Sequence, residues 1–176
     1  QNAVPLGIQI DTGGSSVGWG EATPGNAPSA SPEWAGGVFS CVKDFLAPAV
    51  VGRSLGTDDA LDELLGPVRG NRFAKAALDT AYWDLKARIA DKPLHVLLGG
   101  KHEAVEVGVG FDQMESIEEF CGSIRSAFDA GFGRVELKFR PGWDINMINY
   151  VRQEFPVETI HVDVEGDMHL EHMETL

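Results

Sequence analysis

Lys138 and Asp163 are the residues of this chain whose types and spacing point most directly to chemistry. The segment Arg134-Val135-Glu136-Leu137-Lys138-Phe139-Arg140 alternates polar and apolar residues, as a strand with one buried face does, and Ile160-His161-Val162-Asp163 follows as another strand. A lysine and a carboxylate therefore fall near the carboxyl ends of two successive strands, where parallel β/α architectures gather their reacting groups. A lysine so placed can act as a base toward an acidic C–H, and the carboxylate can hold a hard cation such as Mg²⁺.

Each of these residues also has a plainer explanation. Glu136 and Arg140 lie two residues to either side of Lys138 and share its face, while Leu137 and Phe139 take the opposite face under a helix. Buried charges need partners, so Glu136 and Lys138 can be a structural ion pair as well as a working one. Asp163 is followed by Glu165 and Asp167, a set of oxygen donors that suits a divalent cation and equally suits a solvated turn. His161 is expected to be a hydrogen-bonded residue of the strand face. Pro141-Gly142-Trp143 reads as a turn with a packed aromatic, although its glycine and Asp144, at a helix start, could also receive an anion.

The elements that must position these groups change character along the chain. Gly7 to Asp11 and Ser16 to Glu21 flank Thr12-Gly13-Gly14-Ser15 and predict a hairpin; Ala22 to Pro32 reads as a loop. Val38, Val42, Phe45 and Leu46 share one helical face, ended by Pro48, and Thr57 precedes a short helix carrying Leu61, Leu64 and Leu65. The strongest helix runs from about Arg72 to Asp91, with Ala74, Leu78, Ala81, Leu85 and Ile89 on one face and small alanines that allow close packing. Lys92-Pro93 ends it, and Leu97-Leu98-Gly99-Gly100 forms a linker.

Beyond the linker, strand and helix alternate. Val105 to Gly110 is a strand. Ser116-Ile117-Glu118-Glu119 is a capping box for a helix bearing Ile117, Phe120, Ile124 and Phe128, ended at Gly131. Val135 to Phe139 is the next strand. Asp144 can cap a helix bearing Ile145, Ile148, Val151 and Phe155, and Thr159 to Asp163 is a third strand. This repetition implies parallel strands with crossover helices.

Composition narrows the function. The 176 residues carry 27 acidic and 14 basic side chains, a formal charge of −13, and no basic stripe that could neutralise phosphates, which excludes nucleic acid as a partner. A hydrophobic fraction of 43% with 23% charged residues is that of an ordinary globular protein, and no apolar run nears the roughly 20 residues that span a bilayer. Cys41 and Cys121 have no CxxC or Cys/His neighbours and read as reduced thiols in or near the core. Gln1-Asn2-Ala3-Val4-Pro5 lacks the basic and apolar regions of a signal peptide, so a cytoplasmic setting is expected. Gln1 leads almost directly into a strand, which suggests that upstream sequence is missing.

Four segments in collinear order resemble the enolase superfamily: Gly18-Trp19-Gly20-Glu21, the helix from Ala74 to Arg88, Leu97-Leu98-Gly99-Gly100, and Leu137-Lys138-Phe139-Arg140-Pro141-Gly142-Trp143-Asp144. The last is most similar to the o-succinylbenzoate synthase/N-acylamino acid racemase branch of that superfamily, in the mandelate racemase/muconate lactonizing enzyme group. The resemblance implies an α/β chain with α+β content: an α+β capping domain, residues 1–101 and incomplete at its start, then the first three β/α units of a partial TIM-type barrel, residues 102–176. It implies Mg²⁺ as cofactor, a small carboxylate as substrate, and abstraction of the α-proton leading to dehydration or racemisation. Lys138 takes the position of the catalytic lysine on the second barrel strand and Asp163 that of the first metal ligand on the third. Glu136, Arg140 and Glu165 fall close to the substrate or to those two groups, and the loop from Ala22 to Pro32 resembles the one that helps close the site.

The chain also departs from that pattern. Two residues before the catalytic lysine the family usually carries a second lysine; here the position holds Glu136, whose charge favours the protonated ammonium of Lys138 and weakens it as a base. After Asp163 the usual Ala-Asn is replaced by Val164-Glu165. Three parallel strands cannot close a barrel, so the chain by itself is expected to be inactive. A dipeptide epimerase or muconate-type cycloisomerase remains open, as does a non-catalytic relic or assembly domain. A homo-oligomer is also compatible with the sequence.

Overall fold

Residues Leu6–Asp11 and Val17–Ala22 pair as antiparallel strands β1 and β2, with Leu6 opposite Ala22 and Asp11 opposite Val17. The expected hairpin is present, and Asp11 Oδ1 accepts the Gly13 amide at 2.6 Å to hold its turn. The computed structural model of the chain describes residues 3–29, 31–56, 60–140, 142–164 and 166. It falls into two units, Gln1–Lys101 and His102–Leu176, each with its own buried core.

In the first unit the hairpin is followed by helices α1 (Ala35–Cys41), α2 (Ala47–Val50), α3 (Ala60–Leu65), α4 (Arg72–Ala90) and α5 (Leu94–Leu97). Helix α4 lies against β2 so closely that a Cβ on Gly20 would sit 2.0 Å from the Ala77 carbonyl oxygen, and one on Gly18 2.1 Å from that of Ala81. Only glycine fits at those two crossings. Ala74, Leu78, Ala81 and Leu85 are buried as their spacing predicts, but Ile89 is 61% exposed. Gly18 crosses α4 at Ala81 and Leu85, and Ile89 lies one helical turn further on.

Pro48 does not end the helix before it. A π-helical turn, Val42–Leu46, carries α1 into α2, with the Ala47 amide donating to the Val42 carbonyl five residues back. Proline has no amide hydrogen and crowds the carbonyl four residues before it, and a widened turn relieves that conflict. The extra residue rotates Phe45 outward to 61% exposure while Val38 and Leu46 stay buried, so Phe45 leaves the face predicted for it.

Helix α4 is capped from a distance. Asn71 is left-handed and gives no side-chain cap; instead Glu33 Oε1 and Oε2 accept the Arg72 and Phe73 amides at 2.7 and 3.0 Å. These are two of the amide groups that a helix start leaves without intrahelical partners. Asp91, also left-handed, ends α4 ahead of Pro93, as expected. Leu61 and Leu65 of α3 enter the core; Thr57 lies outside the described residues.

The second unit contains β3 (Val109–Phe111), α6 (Ile117–Asp129), β4 (Arg134–Lys138), α7 (Ile145–Glu154) and β5 (Thr159–Asp163), with the strands in the order β3-β4-β5 and all parallel. Strand β3 starts four residues later than predicted. Val109 pairs with Val135, one residue into β4, so residues 105–107 lie beyond the start of the partner strand. Ser116 Oγ accepts the Glu119 amide at 3.1 Å, which forms half of the predicted capping box, and Gly131, at φ 94°, follows the helix end.

On the helix side of the sheet, Val135 and Leu137 meet Phe120 and Ile124 of α6 and Val151 of α7, and all five are fully buried. Phe155 is buried at the end of α7, whereas Ile145 is exposed at its start and Met147 takes the core position. Asp144 occupies the N-cap position of α7 but turns its carboxylate back to the Gly142 amide, at 3.0 Å. Cys41 and Cys121 are free and buried, and burial pushes both thiols above their ordinary value. Among the described residues no helix is long and apolar enough to cross a membrane.

Candidate active site

The parallel ladder between β4 and β5 brings Lys138 and Asp163 face to face: they are register partners on its last rung. The Phe139 amide donates to the Asp163 carbonyl at 2.8 Å and carries the pairing one step further. Alternation then turns Glu136, Lys138, His161 and Asp163 to the open face, away from α6 and α7.

On that face Lys138 Nζ donates to Asp163 Oδ2 at 2.6 Å and stands 3.5 Å from Glu136 Oε1. The lysine side chain is 23% exposed and those of Asp163 and Glu136 are 38% and 45% exposed, so the lysine is the most enclosed side chain of the three. The ion pair expected between Glu136 and Lys138 exists, but the shorter contact is the one across the strands. His161 is exposed and faces Glu136 in register.

Arg140, the third member of the polar row, points elsewhere. Its Nη2 donates to Asp112 Oδ1 at 2.9 Å, and its backbone forms a two-way bridge with Trp143 at 3.1 and 2.9 Å. Asp112 was missed by sequence reasoning. Its signal was parity: it lies two residues beyond Gly110, on the same face of β3 and just past the strand's end. Beside Arg140 a cleft of about 590 Å³ opens between Asp112, Gln113, Met114, Glu115 and Glu119. The Trp143 ring packs edge-on against Phe120 at 5.2 Å, as a packed turn aromatic should. Its buried Nε1 finds no acceptor among the described residues.

Glu165 and Asp167, the other two carboxylates of the expected set, lie outside the described residues. Among the described residues no three His, Cys, Asp or Glu side chains gather closely enough to hold a metal ion. The described site is thus one lysine between two carboxylates, at the carboxyl ends of adjacent parallel strands.

Residues 1–99 match the family described as Mandelate racemase / muconate lactonizing enzyme, N-terminal domain. The chain belongs to the mandelate racemase/muconate lactonizing enzyme family. Its first unit is accordingly that family's α+β N-terminal domain. Along 149 residues the chain is 36% identical to an N-succinylamino acid racemase of Thermus thermophilus, which covers 85% of this chain and 40% of the relative. Over 167 residues it is 31% identical to an o-succinylbenzoate synthase of Bacillus subtilis, covering 95% of this chain and 44% of that protein. A crystal structure of an enolase-superfamily member from Listeria innocua superposes with a TM-score of 0.88 at 27% identity, over 98% of this chain and 45% of the other. This member of the mandelate racemase/muconate lactonizing enzyme family therefore spans less than half the length of these relatives.

Proposed function

We propose that this chain supplies the base and one cation-binding carboxylate of an enzyme that removes the proton α to a substrate carboxylate, in the o-succinylbenzoate synthase/N-succinylamino acid racemase branch. The second unit is then the opening three β/α units of a barrel. One observation carries the proposal: Lys138 and Asp163 meet at 2.6 Å on the open face of the strands' carboxyl ends. The names of the relatives support the choice of branch.

The chemistry assigned to each residue follows from its place. Lys138 is the group that takes up the α-proton, which requires its nitrogen to leave Asp163 and present a lone pair to the substrate. Asp163 suits one arm of a Mg²⁺ shell. Its carboxylate already accepts a cation, the Lys138 ammonium, and it is open enough for water and substrate oxygens to complete the coordination of a hard ion. When bound, Mg²⁺ would supply positive charge to the substrate carboxylate and so favour loss of the adjacent proton. Arg140 and Asp112, paired at 2.9 Å, bound the cleft past the end of β3 and are the groups offered to contact the remainder of a small carboxylate substrate. The two unpaired, buried thiols support a reducing, cytoplasmic setting.

The test is exchange of the substrate α-hydrogen with deuterated solvent, catalysed by the intact protein on N-succinylamino acids. Lys138→Ala is expected to lower the exchange rate by about 10²- to 10⁴-fold while Mg²⁺ still binds. Retention of wild-type exchange by that variant removes Lys138 from the reaction. The same ion pairs favour one other reading, a non-catalytic domain in which Glu136, Lys138 and Asp163 only brace the sheet. Absence of Mg²⁺ binding and of exchange in the intact protein would establish that reading instead.

A further inference from the structure

Gly110 is a glycine that its own strand does not require. It sits in the middle of β3, paired in unbroken register with Glu136, and its φ lies outside the left-handed region. A Cβ built on it would meet Glu136 Oε1 at 3.8 Å, an ordinary contact, whereas α4 leaves Gly18 and Gly20 no such room. Glycine inside a strand costs entropy and packing, and is kept where the strand bulges or bends, or where another backbone or a ligand comes close. Strand β3 pairs without a bulge, and among the described residues no backbone crowds Gly110. A ligand is the remaining cause.

Val109 and Phe111 pack into the core of the second unit, so Gly110 lies on the open face, where one rung reads Gly110, Glu136, His161. A hollow of about 120 Å³ opens there, lined by Gly108, Gly110, Arg134, Glu136 and His161. At the roughly 30 Å³ that a water occupies, it has room for about four non-hydrogen atoms. The hollow adjoins the candidate site through a shared carboxylate: Glu136 Oε1 stands 3.5 Å from Lys138 Nζ and 3.8 Å from the place of the missing Cβ. A substituent on the carbon that faces Lys138 is thus within one carboxylate's width of it. Arg134 stands at the far end, beside Gly108. The near wall is Glu136, which accepts hydrogen bonds and repels anions.

Resting on the reading of Lys138 as the base, we propose that Gly110 is a specificity-determining residue. By having no side chain it opens the space beside Glu136 to a short, uncharged, hydrogen-bond-donating side chain on the substrate's α-carbon, of the size of asparagine's or smaller.

The test compares kcat/KM for α-hydrogen exchange in deuterated solvent, by the intact protein, on the N-succinyl derivatives of alanine, asparagine and leucine. Asparagine and leucine side chains have equal numbers of non-hydrogen atoms, so their ratio reads polarity, and either one against alanine reads size. The unaltered protein is expected to favour asparagine over leucine about five-fold, the worth of one hydrogen bond. Gly110→Val fills the hollow and is expected to lower the asparagine value at least about ten-fold while leaving that of alanine within about two-fold. Gly110→Ala should raise the urea midpoint, because its backbone angle and contact suit alanine and the unfolded chain loses freedom. A midpoint that falls instead means that the glycine serves the fold, and overturns the proposal. So does an equal loss on all three substrates in Gly110→Val, no loss on any, or leucine matching asparagine in the unaltered protein. Absence of exchange on all three in the unaltered protein overturns the reading of Lys138 as the base and this inference with it.

Discussion

Asp84 shows how much one side chain can hold. Its Oδ2 accepts both the Trp19 amide of β2, at 2.9 Å, and Arg88 Nε one helical turn on, at 2.8 Å. Those two hydrogen bonds keep its carboxyl below the ordinary value of 3.8, with the Arg88 bond the larger cause. A depressed native pKa contributes stability above the unfolded pKa, and that contribution fades as pH falls through the native value. Asp84→Asn is therefore expected to flatten the acid side of the stability curve, as measured by urea unfolding at a series of pH values. Asp79 has the opposite sign. Burial, and then the charge of Asp62, raise its carboxyl above 3.8 against a weaker opposing hydrogen bond from Trp83. Its contribution is present below the unfolded pKa and lost as pH rises through the native one, so Asp79→Asn should stabilise the protein at neutral pH and lose that advantage in acid. At the candidate site, position and side-chain direction were legible within the strand because its period of two fixes which residues share a face, as Glu136 and Lys138 do. The choice of partner was not, because Lys138 reaches Asp163 and Arg140 reaches Asp112 through neighbours 25 and 28 positions away.

The contact between α4 and β2 is the least tolerant in the first unit. Gly20→Ala would force a methyl to within 2.0 Å of the Ala77 oxygen and 2.6 Å of the Ala81 nitrogen, both backbone atoms with nowhere to move. A loss of at least about 3 kcal/mol is expected, read as a fall in the urea midpoint. Gly18-Trp19-Gly20-Glu21 had been legible as a motif, but its physical reason needed the helix that crosses it. Long periodic segments such as α4 and α6 were read correctly because their burial follows their own spacing. Mistakes arose where a neighbour decides: β3 begins late because β4 offers no partner before Arg134, Ile89 is bare one turn beyond the Gly18 crossing, and Phe45 turns outward because Pro48 widens the turn before it. The Glu33 cap on α4 left no local signature, since its two acceptor contacts span 39 and 40 positions.

Across the chain, stability resides in two separate cores that share no residue, one containing Leu78 and the other Ile124. Substituting either by alanine should cost about 2–5 kcal/mol, and the double variant should equal the sum within about 0.5 kcal/mol, measured by denaturant titration with probes in each core. A larger interaction energy would mean that the cores communicate. The family match lies in the first unit, on residues 1–99, while Lys138 and Asp163 lie in the second, so the region that shows the family and the residues offered for its chemistry stand on different cores.

The meeting of Lys138 and Asp163 on one rung has a consequence for how such a protein can vary. Because the ladder rather than the intervening chain brings them together, the helical crossover between residues 139 and 158 is free to gain or lose length without separating them. A slip of β5 by a single position is another matter, for it would put Val162 or Val164 where the aspartate belongs and turn the carboxylate toward the oily side of the sheet. Descendants of this sequence can therefore drift widely in the crossover, while the phase of five short residues, Thr159 to Asp163, must be inherited intact.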